Sequence, residues 1–154
     1  MFRLALVLLA LALSVAPAAA RKPQRPPEEA RVRVDHHLRE VNDLAQHFEG
    51  VLNNDCPRFA TPAEWDRYLD AEIERVVLLR AHLEQAWVEA TSTGDDDVRR
   101  TAKAPRKRLG EARPLLGKLQ SCAAENGASF NPLAVWQRIE REVPGRQSEI
   151  ALPQ

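Results

Sequence analysis

The chain has 154 residues, with 22 basic and 22 acidic side chains, two cysteines and aromatic residues at 5%. That length supports one domain with room for a sizeable core. Few aromatics and only short β-branched runs disfavour a sheet, and a single cysteine pair excludes a multi-disulfide scaffold.

The N-terminus has the order of an export signal. Arg3 precedes a nearly unbroken apolar run from Leu4 to Val15, and Pro17-Ala18-Ala19-Ala20 then offers small residues to a signal peptidase. About a dozen apolar residues do not span ~30 Å of hydrocarbon. Residues 1–20 are therefore expected to be a signal peptide, with the product periplasmic or secreted. No second apolar stretch approaches spanning length, so no transmembrane segment is expected after cleavage. Residues 21–27, basic and proline-rich, read as a disordered leader.

A helical-bundle domain is expected over 28–143. Glu28 and Glu29 suit the positive end of a helix dipole. Val34, Leu38, Val41, Ala45, Phe48 and Leu52 then recur at steps of three and four, one face of a helix that ends at Asn53-Asn54-Asp55. After a loop containing Cys56, Thr61 caps a second helix, Pro62 fits its first position and Glu64 completes a capping box. Its stripe is Trp65, Leu69, Val76, Leu79, Leu83, Ala86 and Ala90, interrupted by Glu72. Thr93-Gly94 closes it. A third stripe runs from Val98 through Ala102, Pro105, Leu109, Ala112, Leu116 and Leu119 to Ala123. Pro105 and Pro114 each remove a helical hydrogen bond, so this helix is expected to be kinked. Asn131-Pro132 starts a short fourth helix carrying Leu133, Trp136, Ile139 and Val143. Pro144-Gly145 is expected to end it, leaving a flexible tail over 144–154.

The fold expected is all-α: an up-down-up three-helix bundle with a short fourth helix. In that topology Cys56, in the first loop, and Cys122, near the end of the third helix, lie at the same end of the bundle. An exported chain with two cysteines is expected to join them as a disulfide.

Charge is unevenly spread. From Val98 to Gln120 there are eight basic residues against Glu111 alone, whereas the first and second helices each carry seven acids against three arginines. The basic helix either pairs along its edges with its acidic neighbours or offers Arg99, Lys103, Arg106, Lys107 and Arg108 to an anionic partner such as lipid headgroups or an envelope polymer. No aromatic residues interleave with these cations to stack bases, so no nucleic-acid partner is expected.

His36, His37, Glu40 and His47 are the candidate metal ligands. His37 and Glu40 are three apart on one face, and His36 and His47, eleven apart, return to nearly the same face. His37-x-x-Glu40 resembles, over those four residues, the H-x-x-E element of imelysin-like periplasmic proteins; the rest of that family's pattern is missing. His82 follows Leu79 rather than a glutamate, so the Glu-x-x-His element of di-iron bundles is absent. There is no nucleophile elbow, no glycine-rich phosphate loop and no haem-attachment motif, so no enzyme and no cofactor are expected. The sequence points to a non-enzymatic exported bundle that binds another protein or an envelope component, as an adaptor, inhibitor or chaperone. The alternative is a metal- or small-ligand-binding bundle. Heptad stripes also permit a homodimer.

Overall fold

The computed structural model describes residues 24–109 and 113–153. The expected signal segment and the start of the leader lie outside them. The described residues form five helices and no strand: α1 (Pro27–Asn53), α2 (Pro62–Thr91), α3 (Asp96–Leu109), α4 (Arg113–Glu125) and α5 (Pro132–Ile150). None is long and apolar enough to cross a membrane.

The helix starts follow local chemistry. α1 begins on a proline, with Glu28 and Glu29 in its first turn. At α2 the Thr61 hydroxyl accepts from the Glu64 N–H at 3.3 Å, and the Glu64 carboxylate accepts from the Thr61 N–H at 3.2 Å. The Asn131 side chain likewise accepts from the N–H groups of Leu133 and Ala134, both at 3.1 Å.

α2 is the axis of the molecule. It packs against α1, α3 and α5, which explains why it buries apolar residues on several sides, from Trp65 and Ile73 to Leu83 and Ala90. Contacts between α1 and α2 descend one helix as they climb the other, from Arg33 with Glu89, through His37 with His82, to His47 with Glu72. The main core joins Val41 and Phe48 of α1, Val76 and Leu83 of α2, Leu116 and Leu119 of α4, and Ile139 and Val143 of α5. A second cluster is built of small residues: Ala30 and Val34 of α1, Ala86 and Ala90 of α2, Val98 and Ala102 of α3.

Cys56 and Cys122 are joined as a disulfide, with Cα atoms 5.1 Å apart. The bond is packed against Trp65 and Ala123, with Phe59 and Tyr68 beside them. Asn126 reinforces the junction, donating to the Pro57 carbonyl at 2.9 Å and accepting from the Phe59 N–H at 3.1 Å.

α3 and α4 cover the third stripe on either side of residues 110–112, which lie outside the described residues. Pro105 lies inside α3, and Pro114 follows the undescribed residues 110–112. The expected end of the fourth helix needs correcting: α5 does not stop at Pro144-Gly145 but runs to Ile150. Arg146 reaches Glu74, and the Gln147 amide donates to Gln85 at 3.1 Å, so contacts with α2 hold the turn beyond the proline. Past the helix, Arg33 donates to the carbonyls of Leu152 (3.1 Å) and Pro153 (2.6 Å), so much of the expected flexible tail is tied down. The end of the leader is also anchored: the Arg25 N–H donates to the Ser92 carbonyl at 2.9 Å.

Candidate functional site

Two polar features stand out from this apolar frame: a buried seam between α1 and α2, and a cationic cleft between α2 and α3.

The seam arises because the α2 stripe carries Glu72, His82, Gln85 and Glu89 at buried positions. A buried charge is tolerated only when paired, and each finds partners. Glu89 contacts Arg25 and accepts from the Gln85 amide at 3.1 Å, with Arg33 at 4.0 Å. Glu72 takes His47 Nε2 on one oxygen and Arg75 on the other, each at 2.8 Å. Between these ion pairs, His37 Nδ1 meets His82 Nδ1 at 3.0 Å. His37 is fully buried, and its Nε2 has no hydrogen-bond partner. Its pKa is lowered to about 4, first by burial and then by the neighbouring His82, His36 and Arg33; burial likewise lowers that of His82, opposed by Glu40. Both rings are therefore neutral at pH 7.

This arrangement divides the metal ligands expected from sequence. His36 and His37 are adjacent, with ring centroids 5.1 Å apart, but His37 pairs with His82. His47, about 16 Å further along α1, pairs with Glu72. Glu40 is exposed. Among the described residues, no group of three or more His, Cys, Asp or Glu side chains is placed to hold a metal ion. His82 and Glu72, the residues that claim His37 and His47, were not candidates on spacing within α1. Their signal was that each puts a polar side chain into an apolar face of α2.

The cleft is lined by Arg80, Leu83 and Glu84 of α2 and by Lys103, Arg106 and Lys107 of α3, and encloses about 340 Å³. Four cations thus line a cleft with Glu84 as its lining carboxylate, Arg80 also lying 3.8 Å from Glu140 of α5. Both arginines are held in place by aromatic rings: Arg80 lies 4.7 Å from the centroid of Trp136, and Arg106 lies 5.5 Å from that of Trp87. Arg106 also forks onto Glu84, Nε at 3.2 Å from both oxygens and Nη2 at 2.9 Å from one. Lys103 and Lys107, one helical turn apart, are exposed and make no ion pair among the described residues.

Three of the five basic residues expected to share a face, Lys103, Arg106 and Lys107, therefore line the cleft. Arg99 turns back to Asp96 at 2.9 Å and to the Gly94 carbonyl at 3.0 Å, and the side chain of Arg108 lies outside the described residues. Arg80 joins from α2, where the sequence showed only a surplus of acids. The edge pairing of basic and acidic helices exists between Arg106 and Glu84. No family model, no curated protein and no solved structure matches the chain.

Proposed function

We propose that the chain is an exported, non-enzymatic helical-bundle protein that binds a negatively charged partner, an envelope component or the acidic surface of another protein, through the cleft between α2 and α3. The observation that carries this reading is the charge surplus there: Arg80, Lys103, Arg106 and Lys107 against Glu84 and the Glu140 beside Arg80, with both lysines unpaired among the described residues. Two guanidiniums packed on indoles lose little further freedom on binding, which favours a fixed, pre-organised surface. The acidic groups deepest in the fold, Glu72 and Glu89, are engaged by histidine and arginine neighbours rather than presented to a cavity, which supports binding over catalysis. The order of contacts along α1 and α2 supports the up-down-up reading, with α3 and α4 along the third stripe. The disulfide supports export to an oxidising compartment.

The test is sedimentation of the mature protein with vesicles of zwitterionic lipid, with and without anionic lipid, and retention on immobilised polyglutamate. The expected result is binding to one of the two anionic surfaces, weakening as salt rises from ~0.05 to ~0.5 M and lost in Lys103→Glu/Lys107→Glu. Absence of binding to both surfaces at low salt, or undiminished binding by the double variant, overturns the reading.

A further inference from the structure

The His37–His82 contact lies outside the cleft, and proton counting makes it more than a structural hydrogen bond. Two Nδ1 atoms at 3.0 Å require that one carries a proton and the other accepts it. At neutral pH the pair holds one proton between the rings. A first added proton goes to the outer nitrogen of the donor ring and leaves the shared bond in place as a charge-assisted one. A second added proton has only the acceptor's Nδ1 left. Both inner nitrogens then carry hydrogen, the bond is lost, and two imidazolium ions face each other in a buried seam.

We propose that His37 and His82 form a proton-operated latch between α1 and α2, closed while the facing Nδ1 atoms share one proton and released when both are protonated. The charged neighbours make release one-sided. Arg33 and His36, from α1, add positive charge, and Glu40, also from α1 and exposed, is the acid that acts on His82. On the α2 side, Glu89 is occupied by Arg25 and Gln85. Among the described residues, the buried carboxylates Glu72 and Glu89 are both already paired. The surface bared by release is the small apolar patch next to the pair, Ala30 and Val34 on α1 with Ala86 and Ala90 on α2. The two histidines titrate as a coupled pair, and His37, with the value of about 4, takes its proton last.

The experiment follows the distance between spin labels on exposed positions of α1 and α2, together with binding of an environment-sensitive apolar dye, from pH 7 to pH 3 with the disulfide intact. The full mature chain is compared with His82→Gln, which keeps a side-chain donor for His37 but cannot become charged, and with the apolar double variant His37→Leu/His82→Leu. Helix content at pH 7 checks that each variant folds. The expected result is separation of α1 from α2 and dye uptake in the wild type near pH 4. In His82→Gln, where two facing imidazolium ions cannot form, and in the double variant, the transition is absent above pH 3. His36→Gln, a change on the outer side of the seam, keeps the transition. A wild-type seam that stays closed to pH 3, or a transition at the same pH in all variants, overturns the proposal.

Discussion

Removing the disulfide tests the energetic frame most directly. Cys56 and Cys122 are 66 residues apart in sequence, and cross-linking a loop of that size lowers the entropy of the unfolded chain by an amount worth about 4 kcal/mol at 25 °C in the chain-entropy model. Domains of this size are stable by about 5–15 kcal/mol, so the bond supplies a large share of the total. In Cys56→Ala/Cys122→Ala, equilibrium urea unfolding is expected to show a loss of about 4 kcal/mol, and thermal unfolding a fall in Tm of roughly 15 °C. Trp65, packed beside the bond, reports the local environment by fluorescence while far-UV circular dichroism reports the helices, so coincidence of the two curves checks two-state behaviour. The denaturant slope should rise, because the open unfolded chain exposes more surface than the looped one. A loss below about 1 kcal/mol, outside the range of the entropic account, with an unchanged slope, would refute this reasoning.

Other outcomes follow from particular groups. His37 binds its proton near pH 4 in the fold and at 6.5 when unfolded. The unfolded chain holds more protons across that window, so stability is complete above pH 6.5 and declines as pH falls toward 4, by about 3 kcal/mol for this group. Denaturation at several pH values checks it, with His37→Leu expected to flatten the dependence. Leu119 is fully buried where α4 meets the core, so Leu119→Ala should cost about 2–5 kcal/mol in urea unfolding. Thr61→Ala removes the hydroxyl of the capping box and should cost about 1 kcal/mol by the same measurement. Glu72→Gln weakens the partner of both His47 and Arg75 and should lower stability by about 1–3 kcal/mol; a neutral result would show that this buried carboxylate gains nothing from its pairs.

The helices were legible because their signals are local. The Thr61-Pro62-Ala63-Glu64 start and the stripe of α1 use contacts within a few residues, and the cysteine pair needed only a guess at topology. The errors came where distant residues decide. Pro144 reads as a helix end, yet Arg146 and Gln147 find partners on α2. His47 looked available to a metal because spacing along α1 cannot reveal that Glu72 lies opposite. Arg80 belonged to an acidic helix by count, but its position on that helix places it with Lys103 and Arg106. A summed charge describes a segment, whereas a partner meets a surface assembled from two segments.

The sizes of the packed side chains differ between the two ends of the molecule. Beside the disulfide, helices meet through Phe, Trp, Leu and Ile; toward the N-terminus of α1 they meet largely through alanine. Each alanine withdraws far less oily area from water than a leucine does, so resistance to fluctuation is graded along the molecule's length. Backbone amides of α1 near Ala30 should exchange with deuterated solvent sooner than those near Phe48. The covalent tie at the sturdier end means that helices which splay at the weaker one remain near neighbours, and their return is a fast, concentration-independent step.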